Sequence, residues 1–186
     1  SGLIGDVVGI DASESKLWGD ENLKRELDPA LAGGSLYEMG SYPLLPIAKL
    51  LGTDYLNINI YSRMNDNGVD VYTRGVIMHQ KAVSSFQLGL GVKTEGDLVV
   101  SGTKGYVYVP SPWWKTDYFE LRYEDQNKNK KYFYTWDEPG LRYEIQEFVS
   151  CIVNSRMVSS RLTPKESIFM ADVMHQFAQR KNFFEI

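Results

Sequence analysis

The run RELDPALAGGSLYEMGSYP, residues 25–43, joins a polar loop to a glycine pair and then to a helix. Glu38 and Tyr42 stand four residues apart in this run, and residues i and i+4 lie on one face of a helix. Their carboxylate and phenol can therefore point into the same space, with Arg25 upstream. The pair Gly33–Gly34 has no side chains, which lets another group come close to the backbone. This combination predicts the polar corner of a substrate pocket.

The rest of the sequence supplies strands after this stretch and helices at the end. Short alternating runs, separated by turn residues and not by helices, predict a largely antiparallel sheet. We expect an α+β fold, with an open, mainly antiparallel sheet covered on one face by helices. The predicted strands are Leu3–Leu17, Tyr55–Arg63, Val69–Gln80, Ala82–Val92, Asp97–Ser101, Gly105–Val109, Asp117–Tyr123 and Lys131–Trp136.

Three helices are predicted, over residues 34–51, 141–154 and 164–181. The first should kink or restart near Pro43, because proline removes a backbone donor, and should stop at Gly52. The last begins with Thr163 as N-cap and Glu166 three residues later, the pattern of a capping box.

The composition of the chain disfavours several classes of function. The chain has 186 residues, enough for one domain over residues 1–186, and a net charge of −4, which disfavours nucleic-acid binding. No apolar run approaches the ~20 residues of a membrane span. The single cysteine, Cys151, excludes an intramolecular disulfide and a cysteine-based zinc site. We therefore expect the protein to be located in the reducing cytoplasm. A start at Ser1 without methionine suggests a fragment of a longer chain or a processed one.

The stretch 25–43 resembles the helix-entry motif of the glucose–fructose oxidoreductase / inositol dehydrogenase / MocA family of NAD(P)-dependent oxidoreductases. That family carries Arg, Asp-Pro-Glu-Leu, glycines and Asp-x-Gly-x-Tyr or Asp-x-Gly-x-His, where this chain has Glu38-Met39-Gly40-Ser41-Tyr42. Glu38 replaces the usual Asp, and Ala32 replaces a frequent Gly. Four shorter runs resemble the family's C-terminal domain in the same order; they begin at Leu3, Val100, Tyr143 and Leu162.

The resemblance covers only the C-terminal part of such enzymes. Their Rossmann half binds the dinucleotide through Gly-x-Gly-x-x-Gly. Residues 89–94 begin like this fingerprint but end in Thr94, and we interpret them as a strand edge. The family's Glu-Lys-Pro motif, which supplies a catalytic lysine, is also absent. The resemblance therefore implies NAD or NADP in a parent enzyme, with no cofactor bound by this chain alone.

The resemblance implies a substrate-binding and oligomerisation domain of an oxidoreductase acting on a sugar, polyol or related hydroxy compound. Tyr42 would transfer the hydroxyl proton, tuned by a lysine of the missing domain, and Glu38 with Arg25 would hold substrate hydroxyls. The glycines 33 and 34 would allow close approach. Each residue also has a plain structural interpretation: packing for Tyr42, a helix-N-terminal carboxylate for Glu38, and a surface ion pair for Arg25.

Two further features extend the candidate site. Trp113 and Trp114 point in different directions, so one can pack while the other stacks on a sugar ring, and Trp18 is a weaker candidate of the same kind. His79 and His175 lack metal-ligand spacing and are interpreted as structural, so no metal site is predicted.

An alternative function would use one face of the sheet to bind another protein. The alternation of Tyr106 and Tyr108 with Val107 and Val109 predicts an apolar face left uncovered by helices. The family implies a homo-oligomer through this face. The rival interpretation is a non-enzymatic α+β module that uses the same face to bind another protein.

Overall fold

The computed structural model describes residues 2–17, 25–135 and 140–186. Within them one mixed sheet and four α-helices form an α+β fold, as predicted. The strands are β1 (Val7–Lys16), β2 (Asn57–Met64), β3 (Asp70–Met78), β4 (Val83–Leu90), β5 (Leu98–Gly102), β6 (Tyr106–Val109), β7 (Tyr118–Arg122), β8 (Lys130–Phe133) and β9 (Phe183–Glu185). The helices are α1 (Ser35–Met39), α2 (Ser41–Leu51), α3 (Leu141–Val153) and α4 (Pro164–Ala178).

The strand order is β8-β7-β6-β5-β1-β4-β3-β2-β9, so the first strand lies at the centre of the sheet. Most neighbouring pairs are antiparallel, but β1 pairs with β4, and β2 with β9, in parallel. The parallel pairing of β1 is possible because α1 and α2 carry the chain back across the sheet before β2 begins. Strand β9 was not predicted, since its three residues follow directly on the turn that ends α4.

Helices α1, α2 and α4 cover one face of β1–β4 and enclose the core. The strand residues on this face alternate with exposed ones, as a half-buried sheet requires. Ile10, Ile60 and Phe86 are fully buried here, and Leu44 and Val173 approach them from the helices.

The helix predicted over residues 34–51 is present but is divided at Gly40, three residues before the predicted kink at Pro43. Pro43 has no N–H to donate to the carbonyl of Met39, which interrupts the ladder at that point. Gly40 N still donates to Leu36 O at 2.8 Å, and Leu44 N donates to Gly40 O at 3.2 Å. Helices α1 and α2 therefore form a nearly continuous segment.

The capping box of α4 is confirmed. Thr163 N donates to Glu166 Oε2 at 2.7 Å, and Glu166 N donates back to Thr163 Oγ1 at 3.4 Å. Lys49 Nζ of α2 lies 2.8 Å from the same carboxylate, which links the two helices.

The uncovered sheet face is more polar than predicted. Tyr106 and Tyr108 do lie on it, but the Arg122 guanidinium stacks 4.2 Å from the ring centroid of Tyr108. Arg122 Nε in turn contacts Glu120 Oε2 at 2.7 Å. The expectation of an apolar face is therefore wrong for this part of the sheet, because β7 places charged residues opposite the tyrosines.

No described helix has the length and apolar character needed to cross a membrane.

Candidate functional site

Arg25 and Glu38 form an ion pair, the plain structural interpretation that the sequence left open for Arg25. Arg25 Nη2 lies 2.5 Å from Glu38 Oε1, at the first turn of α1. The arginine side chain is 56% exposed, so the pair is worth at most about 1 kcal/mol to folding. It holds one cation and one carboxylate at a fixed place on the surface.

Tyr42 lies one helical turn beyond Glu38, at the start of α2, and is 42% exposed. The Trp114 ring packs edge-on against its ring, with centroids 5.8 Å apart. The exposed phenol therefore has an aromatic neighbour, and the pair of Arg25 with Glu38 lies one helical turn earlier in the chain.

The two tryptophan rings point in different directions, as expected. Trp113 Nε1 donates to the Ser13 carbonyl at 3.1 Å, and its ring packs against the core. Trp114 stands perpendicular to it at 6.0 Å and contacts Tyr42. Trp113 thus fixes the short 3-10 helix Trp113–Lys115 to β1, which positions Trp114. Trp18 lies outside the described residues.

The close approaches at the glycine pair are made by the protein itself. A Cβ at Gly33 would overlap the carbonyl oxygen of Glu26, and one at Gly34 would overlap Asp70 Oδ1. Gly34 has φ +117°, which side chains rarely adopt. Packing alone thus requires both glycines, whether or not a ligand also uses the space.

Asp70 caps α1 from β3 and was missed by sequence reasoning. Its Oδ2 accepts hydrogen bonds from Ser35 Oγ at 2.5 Å, Leu36 N at 2.9 Å and Thr73 Oγ1 at 2.7 Å. Burial raises the pKa of its carboxyl, and these hydrogen bonds oppose the shift. Because Asp70 fixes the first turn of α1, it helps to hold Glu38 in place.

Glu14 was also missed, although the alternation of β1 contained the signal. Ile10, Ala12 and Glu14 share the face under the helices, and Glu14 is 7% exposed. Burial raises its pKa to about 7. Its Oε2 has no hydrogen-bond partner among the described residues. Its sequence neighbour Ser13 accepts the Trp113 hydrogen bond through its carbonyl, but successive side chains of a strand point to opposite faces of the sheet.

His79 has structural surroundings, whereas His175 is exposed on α4. His79 is 6% exposed, with Nε2 3.0 Å from Ser84 Oγ and Nδ1 3.3 Å from the Asp54 carbonyl, and burial lowers its pKa. In the part of the chain that the structure describes, no cluster of His, Cys, Asp and Glu could hold a metal ion.

Known proteins similar to this chain are oxidoreductases. The chain is 26% identical over 181 residues to the trans-1,2-dihydrobenzene-1,2-diol dehydrogenase of Sus scrofa, covering 93% of this chain and 53% of that protein. It is 27% identical over 160 residues to the enzyme of Oryctolagus cuniculus, covering 82% and 48%. The chain spans about half the length of the curated relatives it matches. No family model matches it.

Solved structures show the same fold. The 3-ketoreductase of Actinomadura kijaniata, in complex with NADP and TDP-benzene, superposes with a TM-score of 0.83 at 16% identity, over 100% of this chain and 56% of that one. The aldose-aldose oxidoreductase of Caulobacter crescentus, complexed with glycerol, gives 0.79 at 18%, over 96% and 54%. The resemblance to the C-terminal domain of the glucose–fructose oxidoreductase / inositol dehydrogenase / MocA family is confirmed.

Proposed function

We propose that the chain is the substrate-binding and oligomerisation half of an NAD(P)-dependent oxidoreductase acting on a sugar, polyol or related hydroxy compound. The observation that carries the proposal is the exposed Tyr42 phenol in contact with Trp114, one helical turn beyond the ion pair of Arg25 with Glu38. The likeness to oxidoreductases named for a diol and an aldose supports the class of substrate.

Each residue has a role that its surroundings allow. Tyr42 exchanges the proton of the reacting hydroxyl, which requires a neighbouring cation that favours the phenolate. Arg25 and Glu38 donate to and accept from substrate hydroxyls, and charge-assisted hydrogen bonds of this kind orient a polar ring. Trp114 supplies an apolar wall on which the carbon face of a sugar packs.

The segment around Gly89, within the described residues, does not fit a dinucleotide site. Gly89 and Leu90 end β4, and the chain then enters a loop before β5, whereas the phosphate-binding fingerprint needs a helix there. A nicotinamide bound to another domain would supply the hydride chemistry. We therefore predict that calorimetric titration of the 186-residue chain with NADH or NADPH gives no micromolar binding. Micromolar binding would contradict our assignment of cofactor binding to another domain of the parent protein.

The catalytic role is tested in the full-length parent by Tyr42→Phe, with Tyr37→Phe as the matched control. Tyr37 lies five residues earlier and is 37% exposed, so both variants remove one surface hydroxyl. General acid–base groups contribute ~10²–10⁴-fold, so kcat should fall by at least about 10² for Tyr42→Phe alone. Both variants should keep the wild-type melting temperature. If the Tyr42→Phe variant turns over at the normal rate, the catalytic assignment is wrong and Tyr42 has only a packing role.

The open sheet face is proposed to hold a second copy of the chain. Its tyrosines and the pair of Arg122 with Glu120 form a flat mixed surface, and aromatic and arginine side chains are enriched in protein interfaces. A monomer in sedimentation equilibrium at high concentration would contradict this. The rival function, a non-enzymatic binding module, would require turnover to be absent from the parent.

A further inference from the structure

A polar cavity of about 410 Å³ lies at the end of α2 that is opposite to Tyr42. Its walls come from the loop between α2 and β2, from the second half of α4 and from the turn that leads into β9. Tyr42 stands at the start of α2 and the cavity begins at Thr53, just beyond its end, so the length of the helix, about 15 Å, separates the two. Small-molecule sites have volumes of about 300–1,000 Å³. The cavity is therefore large enough for a ligand of its own, apart from the Tyr42 site.

One wall of the cavity is a hydrogen-bond network of three side chains. The Tyr55 hydroxyl donates to Asp172 Oδ2 and accepts from Gln176 Nε2. Gln176 Nε2 also lies 3.1 Å from the same carboxylate oxygen. Burial, together with the neighbouring Asp172 carboxylate, raises the pKa of Tyr55, so its hydroxyl remains a donor. The network thus holds Asp172 and Gln176 in place, which reduces the ordering that a ligand has to impose when it binds.

The lining of the cavity also contains hydrogen-bond acceptors that are not used. Within the described residues, Asp172 Oδ1 and Gln176 Oε1 accept no hydrogen bond. Asn182 Nδ2 donates to Asn57 Oδ1 at 2.9 Å, and Asn182 Oδ1 likewise has no donor in the part of the chain that the structure describes. An ammonium group has three N–H donors, the number that three free oxygens can accept.

The cavity carries charges of both signs. Asp54 and Asp172 supply carboxylates, and Lys181 supplies an ammonium that is exposed and forms no ion pair within residues 2–17, 25–135 and 140–186. The aliphatic members of the lining are Leu56 and Ile58, so the cavity offers little surface to an apolar ligand. Charge-assisted hydrogen bonds are the strong ones, and this lining can make them to an anion and to a cation.

We propose that this cavity binds a small zwitterion, such as a free amino acid, with its ammonium on the three free oxygens and its carboxylate at Lys181. The site is independent of the function proposed above, because none of its residues belongs to the Tyr42 site. An uncharged polyol would contact the same oxygens but would pair with neither charge.

An NMR titration of the 186-residue chain tests the site. The probe is L-alanine, and its matched controls are propionate, which lacks the ammonium, and ethylamine, which lacks the carboxylate. At up to about 50 mM L-alanine, which saturates a site with a millimolar Kd, the backbone amide shifts of residues 53–57 and 181–182 should change. Each control should bind at least about tenfold more weakly, because it loses the charge-assisted hydrogen bonds of one end.

Two variants of the lining separate specific binding from a general effect of charge. Lys181→Gln and Asp172→Asn should each weaken L-alanine binding by at least about tenfold. Lys165→Gln should leave it unchanged, and it is the matched control because Lys165 is an exposed lysine of α4 outside the lining. Lys181 has no ion pair to lose within the described residues, so Lys181→Gln should keep the wild-type melting temperature.

Four results would overturn the proposal: no shift change at these residues with L-alanine, equal binding of propionate or ethylamine, equal binding of glycerol, or undiminished binding by Lys181→Gln. Dehydrogenase activity of the parent plays no part in the titration. A loss of the proposed function would therefore leave this site standing, and an empty cavity would leave the proposed function standing.

Discussion

Replacing Glu14 by glutamine tests whether a buried carboxylate limits stability above neutral pH. Burial raises the pKa of Glu14 from its ordinary value of 4.5 to about 7, and Oε2 has no hydrogen-bond partner among the described residues. The folded protein therefore binds this proton more tightly than the unfolded chain does. The stability contributed by the proton is fully present below pH 4.5 and is lost as the pH rises through 7.

The size of the effect follows from the two pKa values. One pKa unit corresponds to 1.36 kcal/mol, so the loss across the whole range is at most about 3 kcal/mol. Urea unfolding at pH 5 and at pH 8.5 covers most of that range. The free energy of unfolding of Glu14→Gln should rise relative to wild type by roughly 2 kcal/mol between these two conditions.

Comparing wild type with Glu14→Gln at both pH values isolates the effect of Glu14. The buried Asp70 makes stability depend on pH in the same direction, but it does so in both proteins. Glu124→Gln, at an exposed position, is the matched control for removing one carboxylate. A difference between wild type and Glu14→Gln that stays constant from pH 5 to pH 8.5 would refute the reasoning. The carboxylate would then be solvated in the folded protein.

Local signals in the sequence were sufficient for elements whose structure is decided locally. The capping box at Thr163 and the helix stop at Gly52 depend on residues within one turn. The hairpin at Gly102 and Gly105 likewise closes by one hydrogen bond between its ends, 2.9 Å long. In each case the residue type allows few other backbone conformations, so the pattern alone identifies the structure.

The pairing of strands that are distant in the chain could not be predicted from such local signals. The place of β1 beside β4 and β5 depends on which strands compete for the centre of the sheet, and alternation within one strand does not encode its neighbour. The contact between Tyr42 and Trp114 joins residues more than seventy positions apart. Sequence reasoning selected both residues, but separately, since nothing local indicated that they meet.

The outward face of α3 shows a different limit of the sequence. Periodicity predicts a helix and its apolar side from residues such as Ile145 and Phe148, and both are present. Periodicity does not indicate what packs against that side. The usual assumption is that the protein's own core does, and this assumption is wrong for α3, which has no buried residue.

Two stability predictions remain, and both are measured by urea unfolding. Thr163→Ala removes the side-chain acceptor of the capping box and should cost about 1 kcal/mol, while Glu166 keeps its ion pair. Gly34→Ala should cost more, because the new Cβ overlaps Asp70 Oδ1 at a backbone φ of +117°. Backbone strain of ~1–3 kcal/mol adds to the displacement of a charged hydrogen-bond acceptor, so we expect at least about 2 kcal/mol. Gly52→Ala is the matched control, since φ is +86° there but nothing lies within 4 Å of the added atom. If Gly34→Ala is no more destabilising than Gly52→Ala, Asp70 does not require a glycine at position 34. The close approach of a ligand would then be the remaining reason for the glycine.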